Sequence, residues 1–127
     1  MSLYSEKVLE HFRNPRNVGI IEDANGIGEI GDPSCGDFLR VFIKVQDDRI
    51  VDVKYQIRGC PAAIACASVM TELAMGKHIE DALFLQDEDV VFALEGLPEY
   101  KLHCSVLSIS ALKKALVDYY ERVLRSR

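Results

Sequence analysis

LRVFIKVQDDRIVDVKYQIRGCP, residues 39–61, carries two runs of alternating hydrophobicity around a polar turn. Leu39, Val41, Ile43 and Val45 alternate with mostly polar neighbours. After Asp47-Asp48-Arg49, Val51, Val53, Tyr55 and Ile57 alternate with Asp52, Lys54, Gln56 and Arg58. A period of two places one set of side chains on a buried face and the other in solvent, which predicts a half-buried hairpin. Gly59-Cys60-Pro61 closes the second strand. Pro61 suits the first position of a helix, where a missing N–H costs nothing. From Ala62 to Met75 the chain is almost wholly apolar, so the spacing predicts a helix buried on most sides, stopped by Gly76.

Upstream of the hairpin, Tyr4, Val8 and Phe12 stand four residues apart and predict a helix that Asn14-Pro15 ends. A glycine-rich stretch containing Gly26, Gly28 and Gly31 leads through Asp32-Pro33 to Cys35-Gly36-Asp37. Gly26-x-Gly28 is no phosphate loop, because no helix with a Lys-Ser/Thr follows it. Downstream, short helices are expected at 79–84 and at 90–95, the latter after the acidic cap Asp87-Glu88-Asp89. The last helix follows the Leu97-Pro98 break and carries Leu102, Val106, Ile109, Leu112, Leu116, Tyr119 and Val123 on a core-facing stripe. Strands first and helices after predict an α+β domain, a small antiparallel sheet with helices on one face, spanning residues 1–127 as a single unit.

The chain has 127 residues, 49% hydrophobic and 28% charged, an ordinary globular balance that excludes a disordered chain. Fifteen basic and twenty acidic side chains give a net charge of −5. Such a surface does not suit a nucleic-acid or anionic-membrane binder, whose affinity comes from Lys and Arg neutralising phosphates. No apolar run reaches the ~20 residues that span a bilayer, and the expected location is cytoplasmic.

Four cysteines, Cys35, Cys60, Cys66 and Cys104, are the informative oddity. In a reducing compartment, dispersed cysteines read as metal ligands or reactive thiols. Cys35 and Asp37 are two residues apart at a strand edge, where side chains at that spacing point the same way. Cys60 precedes a helix start, and His103-Cys104 open the last helix, where the dipole and free N–H groups favour thiolate. Thiolates with an imidazole suit zinc, iron and iron–sulfur clusters. Paired Cys-x₂-Cys spacing, usual for structural zinc, is absent. Cys66 lies inside the apolar helix and reads as core filler, while His11 and His78 read as ordinary surface or partly buried histidines.

The chain resembles the IscU/NifU N-terminal family of iron–sulfur cluster assembly scaffolds over its full length. Tyr4-Ser5-Glu6-Lys7-Val8, Asn14-Pro15-Arg16-Asn17-Val18-Gly19, Cys35-Gly36-Asp37, Gly59-Cys60 and Lys101-Leu102-His103-Cys104-Ser105 carry the resemblance. It implies a three-stranded antiparallel sheet with helices packed on it and a cluster site at one end. It implies assembly of a [2Fe–2S] cluster from iron and sulfur, followed by transfer to apo-proteins. Sulfur would arrive as a persulfide from a pyridoxal-phosphate cysteine desulfurase, with Cys104 as the main acceptor. Cys35, Asp37, Cys60, His103 and Cys104 would form the iron, zinc or cluster site. A ferredoxin would supply electrons, and a homodimer is expected when the cluster is loaded. Only 43 residues separate Cys60 from Cys104 and His103 is present, which favours the IscU-like branch over the zinc-dependent SufU branch. Leu97-Pro98-Glu99-Tyr100-Lys101 stands where the family carries the Leu-Pro-Pro-Val-Lys motif of its dedicated Hsp70-type chaperone. Glu99 and Tyr100 replace the central Pro-Val, and weakened docking of that chaperone is expected.

The resemblance therefore predicts a scaffold and carrier and not a turnover enzyme. The alternatives are a zinc-dependent sulfurtransferase relay, in which Cys104 accepts sulfur without building a cluster, and a plain structural zinc domain. Anaerobic reconstitution separates the first two; chelation that unfolds the protein would mark the third.

Overall fold

A computed structural model describes residues 4–31 and 36–126. Cys35, one of the expected site residues, lies outside the described residues. The elements are α1 (Glu6–Arg13), β1 (Gly26–Gly31), β2 (Phe38–Gln46), β3 (Arg49–Arg58), α2 (Pro61–Ala74), α3 (Ile79–Leu83), α4 (Asp87–Ala93) and α5 (Leu102–Arg125), with a 3₁₀ turn at Glu99–Lys101 before α5. The strands form one antiparallel sheet in the order β1-β2-β3. Helix α5 packs on β1 and β2, α2 packs on β3 and on α5, and α1 lies along α2. This is the α+β arrangement expected.

The hairpin turns at Asp47 and Asp48, both with positive φ (53° and 62°), the backbone twist that two-residue hairpin turns require. The alternation in β3 differs from the expected one at its start. A bulge between Lys44 and Val45 sets Val45 opposite Ile50 and Lys44 opposite Asp52, so Ile50 is buried and Val51 is exposed. One extra residue in a strand flips every side chain on one side of it.

Strand β1 falls in the stretch read only as glycine-rich. Its glycines are packing surfaces. A Cβ on Gly28 would sit 2.2 Å from the Ala111 carbonyl oxygen and 2.4 Å from the Ala115 nitrogen. A Cβ on Gly26 would meet the Ala115 carbonyl oxygen at 2.5 Å. The strand therefore lets α5 lie backbone to backbone upon it, closer than any side chain would allow.

Helix α1 also departs from expectation. Val8 and His11 are its buried residues, while Phe12 is exposed. The stripe advances by three residues and not four, so a histidine expected near the surface is 3% exposed. In α4 the acids Asp87, Glu88 and Asp89 form the first turn and Gln86 is the cap, so the helix starts three residues earlier than expected. Helix α2 begins with Pro61 and ends before Gly76, whose φ is +83°. There glycine alone avoids a Cβ clash with its own backbone.

Candidate functional site

Cys60 is the N-cap of α2, at the end of β3. Cys104 lies in the first turn of α5, reached through the 3₁₀ turn that follows Leu97-Pro98. Because α2 and α5 pack together with their starts at the same end of the sheet, the two sulfurs stand 3.9 Å apart. His103 Nε2 is 3.6 Å from the Cys104 sulfur. Asp37 and Cys104 border one cavity of about 150 Å³, whose walls are mostly apolar and include Phe38, Leu39, Ile57 and Leu107. Four of the five expected site residues thus stand at one end of the sheet. Among the described residues, no group of three or more His, Cys, Asp or Glu side chains is arranged to hold a metal.

The donor chemistry of the sulfur pair can be tested against an ion. Two thiolates bound at ~2.3 Å to one tetrahedral ion lie about 3.8 Å apart. The Cys60–Cys104 separation of 3.9 Å fits that spacing. The spacing matches what one shared metal would need, and His103 stands beside the pair as a nitrogen donor.

The two thiols are not equivalent. Cys104 is 3% exposed. Burial, then the neighbouring Cys60, pushes its thiol up to about 12, against a smaller opposing effect of Lys101. Burial acts to raise Cys60 too, but it is outweighed by the backbone N–H of Ala63, the Cys104 thiol, the N–H of Ala62 and Lys101, and the result is lowered. Burial therefore opposes the thiolate at Cys104, while the backbone N–H groups of the helix start favour it at Cys60. This corrects the expectation that the start of α5 would make Cys104 the thiolate. The imidazole and helix start are present, but burial and the adjacent Cys60 sulfur prevail.

Lys101 belongs both to the segment Lys101-Leu102-His103-Cys104-Ser105 and to the chaperone motif, and neither gives it a role among the thiols. Its charge acts on Cys60 and Cys104, and its own pKa is raised, chiefly by Cys60. The signal was a lysine three residues before Cys104, at the junction of two elements. Cys66 is fully buried in α2, and burial followed by Cys104 and Cys60 drives its thiol strongly upward. It behaves as core, as expected. His78 caps α3, its Nδ1 accepting from the Glu80 N–H at 3.1 Å.

The family described as NifU-like N terminal domain matches residues 3–126. The iron-sulfur cluster assembly scaffold protein IscU 1 of Archaeoglobus fulgidus is 54% identical over 120 residues, which cover 94% of this chain and 78% of that protein. The IscU scaffold protein of Escherichia coli is 44% identical, covering 91% of this chain and 93% of its own. The crystal structure of the N-terminal part of a nitrogen-fixing NifU-like protein from Brucella abortus superposes with a TM-score of 0.74. It covers 94% of this chain and 95% of that one, and at 19% identity it speaks for the fold alone. The family match runs from the residue before Tyr4 to the end of α5, through the strand that was hidden among glycines and both thiol-bearing helix starts. The chain belongs to the NifU-like N-terminal domain family.

Proposed function

We propose that this chain is a scaffold on which a [2Fe–2S] cluster is assembled from iron and persulfide sulfur and then handed to apo-proteins. The observation that carries the reading is the pair of sulfurs 3.9 Å apart beside His103, at one end of a fold shared with named scaffold proteins. Residues 1–127 act as one scaffold domain, in the reducing cytoplasm where free thiols persist. Cys35, Asp37, Cys60, His103 and Cys104 are the ligands for iron and the cluster, not all bound in every state. Iron or zinc occupies the site before the cluster is built.

Sulfur enters by exchange. A cysteine desulfurase presents a persulfide, R–S–SH. As Cys104 attacks the outer sulfur, its proton passes to Cys60, the sulfur whose thiolate the helix start and Lys101 favour. A new S–S bond forms on Cys104, the S–S bond of the donor breaks, and the donor leaves as R–S⁻. No net oxidation occurs in that step. Converting each sulfane sulfur to sulfide takes two electrons, which a ferredoxin or similar donor supplies. The protein carries cargo and does not turn over a substrate. When loaded, two copies share the cluster.

The segment Leu97–Lys101 closes into a 3₁₀ turn, with Lys101 N–H donating to the Pro98 carbonyl at 2.8 Å. Glu99 adds a charge that an apolar peptide groove must desolvate, and the dedicated Hsp70-type chaperone docks weakly here. A peptide of residues 97–101 should bind such a chaperone less tightly than Leu-Pro-Pro-Val-Lys; equal affinity refutes this.

A zinc-dependent sulfurtransferase relay is the second reading, because the same sulfur spacing fits one tetrahedral zinc. Anaerobic reconstitution with ferrous iron, a cysteine desulfurase and cysteine decides between them. A visible chromophore that requires both iron and sulfur supports the scaffold. Persulfide on Cys104 with zinc bound and no chromophore supports the relay.

A further inference from the structure

Helix α4 and the start of α5 enclose an open groove of about 830 Å³. Val91, Phe92 and Leu102 supply its apolar surface, and Asp87, Glu88 and Glu95 stand around it with no basic side chain among the lining residues. Phe92 is 85% exposed and Leu102 is 39% exposed. No ion pair is formed by Asp87, Glu88 or Glu95 within the described residues. By contrast, the hollow against α5 is lined by Lys113 and Lys114 as well as Asp118 and Glu121, so both signs of charge stand around it.

Folding does not account for the groove. Asp87 and Glu88 complement the dipole at the start of α4, but Glu95 follows its end, where a negative charge is unfavourable. Glu95 also takes a left-handed φ of 60°, a conformation that favours glycine. An aromatic ring left in water forgoes the free energy of its burial. Both features become favourable together if a positively charged, partly apolar segment lies in the groove. Its cations would meet the three unpaired carboxylates, and an aliphatic or aromatic anchor would cover Phe92 and Leu102.

We infer that this groove is a docking site for a cationic amphipathic segment of a partner protein. Leu102 belongs to both the groove and the turn that carries His103 and Cys104, so a docked partner lies next to the thiol end. The docking surface is independent of the cluster reading and is testable on metal-free protein.

The probe is a fluorescein-labelled amphipathic Leu/Lys peptide of about 14 residues, near the shortest length at which an isolated helix is marginally stable. Fluorescence anisotropy should show saturable binding that weakens with salt. Phe92→Ser and Glu95→Lys should each weaken it by about tenfold, the loss of one anchor or one desolvated charge pair. Glu22→Lys, the same charge change at an exposed site elsewhere, should change it by less than about twofold. Carbodiimide coupling followed by mass spectrometry should join the peptide lysines to Asp87, Glu88 or Glu95 in the unmodified chain, so the inference does not hang on any variant folding. Three results overturn it. In the first, a Leu/Glu peptide binds as tightly, or Glu22→Lys costs as much as Glu95→Lys. In the second, coupling maps elsewhere. In the third, a second copy of the chain fills the groove, seen as a dimer in sedimentation that Phe92→Ser dissolves and the peptide cannot enter.

Discussion

The two halves of α2 are held in opposite ways. Past its middle, Ser68 accepts the Arg16 backbone N–H at 2.9 Å and contacts His11 Nδ1 at 2.7 Å. Thr71 Oγ1 accepts from Asn17 at 2.9 Å and donates to the Ser68 carbonyl at 2.6 Å. Glu72 lies 3.4 Å from His11 Nε2. This clasp fastens α1 and the loop after it to the helix, although buried Tyr55 Oη and Arg16 Nη1 have no hydrogen-bond partner among the described residues. At the start of the same helix, Cys60 meets the long sulfur contact to Cys104, the nearby N–H groups and the Lys101 side chain. Hydrogen bonds fix one half in a single state. The other is positioned by packing of the elements behind it, and no comparable set of side-chain hydrogen bonds holds its sulfurs among the described residues.

The largest expected effect falls on the open half. Cys104→Ser should abolish persulfide loading from a desulfurase, since an alcohol cannot replace the sulfur nucleophile. Cys66→Ser should leave loading largely intact, because that thiol is fully buried and strongly disfavours the thiolate. Intact-protein mass spectrometry reads the added sulfur; finding it on Cys66 would overturn the assignment. Cys60→Ser removes the proton acceptor and should slow loading without eliminating it.

If packing aims the thiols, then disturbing it far from them should loosen that end. Gly28→Ala is the sharpest disturbance, because its Cβ would meet backbone atoms of α5 that cannot swing away. Urea denaturation should show a loss of about 3 kcal/mol, as for overpacked sites. A change below about 0.5 kcal/mol, within the range of ordinary surface substitutions, would mean that α5 shifts freely on β1.

The hairpin was legible because side chains alternate over residues 39–45, and α5 because its apolar stripe is long. Strand β1 was not legible as a strand, because glycine contributes no side chain to a periodic pattern; its place there depends on α5, more than 80 residues later. The bulge was hidden because Ile50 and Val51 are both apolar and either could face inward. At the site, the positions of Cys60, His103 and Cys104 could be read as helix starts. The opposite directions in which the two thiols are shifted could not, since they depend on how deeply Cys104 is buried. The polar clasp was missed for a similar reason. A histidine between Val8 and Phe12 gives no sign that Ser68 waits for it across the helix interface.

The clasp offers a pH test. Burial, followed by the nearby Arg16 charge, lowers the His11 pKa from its ordinary value, against the opposing pull of Glu72 and Glu10. Lys7 of the same helix adds a small further lowering. The unfolded chain therefore binds a proton more readily than the folded one. Stability from neutral His11 is present above about pH 6.5 and is lost as pH falls below it towards the depressed folded value. The melting temperature should drop between pH 7.5 and 5.5, and His11→Gln should flatten that dependence. Equal slopes for the two proteins would show that the clasp does not sense protons.

The smallest effect is the most specific to cargo handling. Asp37 opens into the same cavity as Cys104 but, unlike the thiols, offers a hard oxygen donor to soft, sulfide-rich iron. A carboxylate can be protonated and leave, which gives the cluster an exit. With Asp37→Ala, the remaining thiolates and His103 hold the cluster in a softer shell, and transfer should slow several-fold. Cluster absorbance followed under argon after adding an apo-ferredoxin acceptor measures this directly. Faster transfer from the variant, or an unchanged rate with a less stable fold, would reassign Asp37 from a labile ligand to a residue that merely shapes the turn before β2.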